Sequence, residues 1–190
     1  MKARLLLSLL LVGVAPAAFG ATCTSNVATT GNWGTAGSWS CGHVPLAADD
    51  VVIAIGDTVT VNIANAVARS VTFNNGNSNS GLTIASGNTL TVSQGVTFTA
   101  STSNNRTRTL AVQSGAQLIV GGNLTMNTGA ATGTAFGITI ASNASSLVQI
   151  GGSISFSGNV APSIAFSGAG TLSVAETFRA ASRSRRAPAP

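Results

Sequence analysis

From residue 21 onward, apolar residues alternate with polar ones and never fall at helical spacing. The alternation comes in short runs: Val59-Thr60-Val61, Leu82-Thr83-Ile84, Leu90-Thr91-Val92, Val96-Thr97-Phe98 and Ile138-Thr139-Ile140. A period of two puts every second side chain on one face, and Gly or Asn punctuates the runs. β-branched residues in this pattern predict short, half-buried strands.

The runs repeat as a unit. Leu82 to Val92 followed by Val96 to Phe98 aligns with Leu110 to Val120 followed by Leu124 to Met126. A third copy starts at Ile138, an identical step beyond Leu110, and runs through Val148, Ile150, Ile154 and Phe156. Its register is fixed by matching Val120-Gly121-Gly122-Asn123-Leu124 with Ile150-Gly151-Gly152-Ser153-Ile154. A looser copy is read from Val51, with Gly56, Val59, Val61, Val71 and Phe73. A shortened one is read from Ile164, with Gly168, Leu172, Val174 and Phe178.

Each unit offers three strands, and the corner after the first carries Gly56, Gly87, Gly115, Asn143 and Gly168 in turn. Gly and Asn take positive φ most easily, so this column predicts a shared left-handed corner. Three strands in a period in the high twenties predict one coil of a solenoid. The expected fold class is therefore all-β, a parallel (right-handed) β-solenoid of about five rungs. An antiparallel β-sandwich shares the turn spacing but not an in-register Gly column.

The two ends differ from this body. Lys2 and Arg4 precede an apolar run from Leu5 to Val14, closed by Pro16 and the small residues Ala18 and Gly20 around Phe19. That is the pattern of a cleaved signal peptide over residues 1–20, and it predicts a secreted or cell-surface protein. The run is too short for the roughly twenty residues of a membrane-spanning helix. At the other end, Arg179, Arg183, Arg185 and Arg186 lie among Ser, Ala and Pro, so residues 179–190 are expected to form a disordered basic tail.

Charge sharpens the picture. The sequence pI of 11.2 comes from those ends. Between Thr22 and Phe178, Arg69, Arg106 and Arg108 face Asp49, Asp50, Asp57 and Glu176, for a net charge of −1. Such a body has no electrostatic footprint for nucleic acid. From Thr58 to Ala175 there is no Asp, Glu, Lys or His. Solenoid hydrolases need paired carboxylates and solenoid lyases need acidic metal ligands with a base, so no catalytic residue is assigned and a non-enzyme is expected. Gly121-Gly122 and Gly151-Gly152 read as repeat corners rather than phosphate loops, since no Lys follows either pair. Asp49 and Asp50 are expected to form a turn into the first strand, and Asp57 to belong to the first corner. The alternative is a single calcium held near the N-terminal end.

In an exported chain Cys23 and Cys41 are expected to form a disulfide. It would close a loop worth roughly 3 kcal/mol in the chain-entropy model. A metal or redox pair is the alternative, but His43 stands alone and no third thiol exists. No metal and no cofactor are therefore assigned. Trp33 and Trp39 suggest either a stacking platform for sugar rings or large apolar cover for the first rung. The cap is the preferred reading, placing a disulfide-pinned N-terminal cap at residues 21–50 and the repeats at 51–178.

The run Asn32-Trp33, Trp39, Cys41-Gly42-His43-Val44-Pro45, Asp49-Asp50-Val51-Val52-Ile53 and Gly56-Asp57-Thr58-Val59-Thr60-Val61 resembles the start of bacterial secreted β-helix surface and adhesin-like proteins. These include proteins similar to the mannose-sensitive haemagglutinin pilus biogenesis group. The resemblance covers about Thr22 to Asn62; beyond it only the generic repeat is shared. It implies a parallel β-helix at or outside a cell surface and carries no reaction. Members of that class are usually longer, so the chain is expected to be the N-terminal part of a longer surface protein.

The functional expectation is thus a non-catalytic structural or adhesive module. Its partner would be an extracellular glycan or another surface protein, without nucleic acid and without membrane insertion after leader cleavage. The alternative is a carbohydrate-binding module using Trp33 and Trp39. A third reading, ice binding, rests on recurring outward Thr83 and Thr139, Thr97 and Thr125, with Ala111, Ala165 and Ser155 interrupting the columns.

Overall fold

A computed structural model describes residues 20–180 except 131, 133, 134 and 142. The expected leader and the expected tail beyond Ala180 lie outside the described residues.

The chain opens with a part-rung, β1 (Thr22–Thr24) and β2 (Thr30–Asn32), followed by one turn of 3-10 helix (Ala36–Ser38). Five full rungs of three strands follow. They are β3 (Asp50–Ile53), β4 (Thr58–Val61) and β5 (Asn65–Ala68); β6 (Ser70–Phe73), β7 (Ser80–Ile84) and β8 (Thr89–Val92); and β9 (Val96–Phe98), β10 (Thr107–Val112) and β11 (Gln117–Val120). The last two are β12 (Leu124–Asn127), β13 (Ala135–Ile140) and β14 (Leu147–Ile150), then β15 (Ile154–Ser157), β16 (Ser163–Phe166) and β17 (Thr171–Val174). A final strand, β18 (Phe178–Ala180), begins one more turn.

Corresponding strands stack into three sheets. The first is β1-β3-β6-β9-β12-β15-β18, the second β2-β4-β7-β10-β13-β16, and the third β5-β8-β11-β14-β17. Strand pairs within each sheet are parallel, as in Leu110↔Leu82 and Leu118↔Leu90. The chain is therefore a parallel β-solenoid, as its period predicts. The alternation explains the core: in β4, Val59 and Val61 are buried while Thr58 and Thr60 face out. Stacking turns those positions into interior columns, for example Val59, Leu82, Leu110 and Ile138. One rung alone could not exclude water from its apolar face. Phe73 and Phe98 stack inside at 4.3 Å between ring centroids.

Three sequence expectations need correction. First, the opening copy is out of register from Val51 to Val61, while its Val71 and Phe73 pair with Val96 and Phe98 as expected. Val51 and Ile53 pair with Val71 and Phe73 in the first sheet, whereas Val59 and Val61 are the partners of Leu82 and Ile84. The step from Val59 to Leu82 is shorter than the step from Leu82 to Leu110, because all three corners along it are shorter than those of the next rung, most of all the one between Phe73 and Leu82. Second, Gly56 does not share a corner with Gly87 and Gly115. Gly87 (φ +74°) and Gly115 (φ +71°) turn the chain from the second sheet to the third. Gly56 (φ +87°) turns it from the first sheet to the second, where Ala28, Gly76, Asn105, Gly129 and Gly158 also have positive φ. Third, the rungs begin inside the expected cap, since β1 and β2 already belong to the sheets, and Arg179 belongs to β18 rather than to a tail.

Arg108 is fully buried at the second-sheet corner. Its guanidinium donates to the backbone oxygens of Asn74 (3.1 Å), Ser78 (2.9 Å) and Gly76 (3.3 Å) and lies over the Phe136 ring. Burial, and then the nearby Arg106, lower its pKa. Carbonyl dipoles, rather than a carboxylate, compensate the charge and gather the Asn74–Asn79 loop against the core.

Candidate functional site

Two regions concentrate polar chemistry: the N-terminal cap and the outer face of the second sheet. In the cap, the chain continues past β2 and Trp33 N donates to Thr60 O at 2.8 Å, extending the ladder by one residue. The Trp33 side chain is thereby laid over the end of the core, with no exposed surface. After the 3-10 turn the chain returns along the outer edge of β1. Ser40 N donates to Thr24 O (2.8 Å), Asn26 N to Ser38 O (2.9 Å), and Ser25 bridges Trp39 antiparallel. This strap covers the edge that β1 would otherwise offer to another chain.

Trp39 is 3% exposed and packs edge-on against Trp33, with ring centroids 5.0 Å apart. Its Nε1 donates to Trp33 O at 2.9 Å. Sugar stacking needs an open ring face, and neither buried indole presents one. Cys23 of β1 and Cys41 of the strap form the expected disulfide, with Cα atoms 4.9 Å apart.

The three N-terminal aspartates belong to separate networks. Asp49, which is buried, accepts from Ala21 N (2.7 Å) and Leu46 N (2.8 Å) and closes the turn into β3. Its Oδ2 lies 3.6 Å from His43 Nδ1. Asp57 accepts from Ser25 Oγ at 2.7 Å, and Ser25 Oγ in turn accepts from Ala54 N at 2.8 Å. Asp57 thus fastens the part-rung to the first full rung across the corner. Asp50 is paired with Arg69 through both carboxylate oxygens and accepts from Ser70 Oγ at 2.6 Å. The Arg69 hydrogen bond, which outweighs the opposing effect of burial, holds the Asp50 carboxyl below its usual pKa.

The second region was only partly visible in the sequence. Pairing in the second sheet aligns two outward ranks. One is Thr30, Thr58, Gly81, Thr109, Gly137 and Ser163; the other is Asn32, Thr60, Thr83, Ala111, Thr139 and Ala165. None of these twelve residues is charged, and none is larger than Asn or Thr. Neighbours lie about 4.8 Å apart along a rank, and the ranks about 6.6 Å apart, as parallel strand geometry requires. Gly81 is itself buried in the first rank, between Thr58 and Thr109, and a Cβ there would come within 3.1 Å of Thr109 Oγ1. The other sheets are less uniform. An outward rank of the first ends Thr72, Thr97, Thr125, Ser155, Arg179, and one of the third reads Val67, Thr91, Ile119, Gln149, Ser173.

Thr83 and Thr139 thus stand in one rank, as expected, and Thr97 and Thr125 in another. Thr58 and Thr60 also stand in the ranks of the second sheet, a placement that reading the opening copy from Val51 rather than from Val59 hides. Neither a family model, nor a curated protein, nor a solved structure matches this chain.

Proposed function

We propose that this chain is a secreted, non-catalytic β-solenoid module that attaches at or outside a cell surface through the outer face of its second sheet. The observation that supports this reading is the twelve-residue face itself: uncharged, small and repeating on the solenoid's own lattice. Such a face suits a broad, regular, uncharged partner such as a polysaccharide, because rigid hydroxyls lose little side-chain entropy on contact. The resemblance of the Trp and Cys segment to secreted β-helix surface proteins agrees with this address, as does a disulfide in an exported chain. The partner on this reading is an extracellular glycan or surface protein, and no step of chemistry is assigned.

The test is adsorption of the purified protein to cells and to insoluble polysaccharides. Thr60→Lys with Thr139→Lys should abolish adsorption while leaving circular dichroism unchanged. Adsorption that survives the pair, or lyase or hydrolase turnover by the wild type, would sink the proposal. The same Thr ranks favour a second reading, in which the ordered surface is ice. Ice-crystal shaping by the wild type that the same pair abolishes would select it. The carbohydrate-binding reading through Trp33 and Trp39 requires the buried indoles to open. Glycan binding lost in Trp39→Ala, in a chain that still folds, would support it.

A further inference from the structure

The cap gathers more metal-ligating atoms than its disulfide uses. Donor atoms of Cys23, Cys41 and His43 lie within 4.8 Å of one another. They come from β1, from the end of the strap and from the loop that follows it. A fourth donor stands beside them, since Asp49 Oδ2 is 3.6 Å from His43 Nδ1 and 3.8 Å from Cys23 Sγ. Among the described residues no other set of three His, Cys, Asp or Glu side chains converges in this way. The sequence alone could not show the fourth donor, because Asp49 is 26 residues from Cys23.

We propose that, when the disulfide is open, these four side chains hold one divalent cation of the zinc class. Two thiolates, one imidazole and one carboxylate form a tetrahedral donor set that suits this ion. Bond lengths of about 2.3 Å to sulfur and 2.0–2.2 Å to nitrogen and oxygen imply tetrahedron edges of roughly 3.3–3.8 Å. The separations from Asp49 Oδ2 to His43 Nδ1 and to Cys23 Sγ, 3.6 and 3.8 Å, already have that size. Cleavage of their bond frees the two sulfurs to move apart to about 3.8 Å, the edge between two thiolates on one ion.

Asp49 is held in place by Ala21 N and Leu46 N, so this carboxylate is positioned before any ion arrives. His43 is partly exposed and gives access from solvent. Its Nδ1 lies 3.0 Å from Val44 O, a contact that needs a proton on Nδ1. Ligation through Nδ1 moves that proton to Nε2 and breaks the contact.

The chemistry balances in two steps. A dithiol reductant gives two electrons and two protons to the Cys23–Cys41 bond and leaves as its own cyclic disulfide. Binding then replaces the two thiol protons by the cation and releases them to solvent. The same sulfurs can therefore fasten the strap to β1 as a cystine in oxidising surroundings or as half of a metal site in reducing ones.

Cobalt(II) titration of the full chain tests this, after reduction by a phosphine that is itself oxidised to its oxide with oxygen from water. One equivalent should bind, with the intense d–d bands of a tetrahedral ion and a thiolate-to-cobalt charge-transfer band, both abolished by added zinc. The oxidised chain should show neither band. His43→Ala should weaken binding more than about tenfold. Near-ultraviolet dichroism of the Trp33–Trp39 pair reports the cap independently, and any signal lost on reduction should return with one equivalent of metal. A reduced chain without the charge-transfer band, His43→Ala binding at full affinity, or a dichroism loss that metal does not restore would each overturn the proposal.

Discussion

Gly87 and Gly122 both sit at rung corners, and substituting each with Ala separates two reasons for a glycine. Gly87 has φ +74°, and a Cβ there would meet nothing within 4 Å. Its substitution costs only the left-handed conformation, about 1–2 kcal/mol. Reduced freedom of the unfolded chain returns roughly 0.4–1 kcal/mol, leaving a net loss of about 1 kcal/mol. Gly122 is different, because its Cβ would lie 2.0 Å from Gln94 O and 2.8 Å from Gln94 C in the preceding rung. An ordinary contact would require that backbone to retreat by more than about 1 Å. The rungs cannot separate locally without lengthening bonds such as Gly121 N to Val92 O (2.8 Å) and Gly152 N to Gly122 O (2.9 Å). Two weakened backbone bonds at about 1 kcal/mol each, with about 1–3 kcal/mol of overpacking, give a loss of roughly 3–5 kcal/mol. Urea unfolding of the oxidised protein measures both. In thermal melts the losses correspond to about 3 °C for Gly87→Ala and about 10 °C for Gly122→Ala. Equal losses, or a Gly122→Ala loss below about 1 kcal/mol, would refute this account of rung stacking.

Arg108→Met should lose about 3 kcal/mol in the same assay, because three loop carbonyls lose a charged donor; no loss would mean that removing the buried charge compensates fully. Arg69→Gln should raise the Asp50 pKa in an NMR titration. With a folded-state pKa below the unfolded one, the pair contributes stability above the unfolded pKa, and that contribution fades as pH falls through the folded value. The variant should therefore show a shallower acid limb near that range, and an unmoved Asp50 titration would contradict the assignment. Phe178 is 56% exposed while Phe98 is fully buried, so Phe178→Ser should cost less than about 1 kcal/mol and Phe98→Ala about 3–5 kcal/mol. Hydrogen exchange should likewise find β16 to β18 less protected than β7 to β11; equal protection would argue against fraying from the last rung.

The solenoid was legible because its period was written into three consecutive copies. Leu82, Leu110 and Ile138 stand at an identical spacing and occupy one interior column. The opening copy was not legible in the same way. Val51-Val52-Ile53 and Val59-Thr60-Val61 are both β-branched runs, and Gly56 between them imitates the corner glycine at Gly87. Pattern alone cannot decide which of two adjacent strands starts a rung when the corners that follow are shortened, as they are between Val61 and Leu82. Hydrogen bonding decides it, through Asp57 O accepting from Gly81 N and Val61 O from Ala85 N. Arg108 was illegible for another reason. Its charge argues for the surface, and only the fold brings the Asn74, Gly76 and Ser78 carbonyls around it from 30 to 34 residues away.

That register also changes the functional argument. Aligned from Val51, the opening copy places Val52 opposite Thr83, and the outer ranks look sparse. Aligned from Val59, it adds Thr58 and Thr60, and the part-rung adds Thr30 and Asn32. The face then spans the whole second sheet, from beside the cap to β16. Interior packing fixes which side of each strand faces out, so a slip of one residue would bury threonines and expose leucines together. The same burial that drives folding therefore holds the outer ranks on their lattice. Substituting an inward residue such as Leu110 should consequently weaken the proposed surface attachment only when the rungs themselves come apart. Substituting Thr60 or Thr139 should weaken it in a fully folded chain, and adsorption measured beside urea stability distinguishes these outcomes.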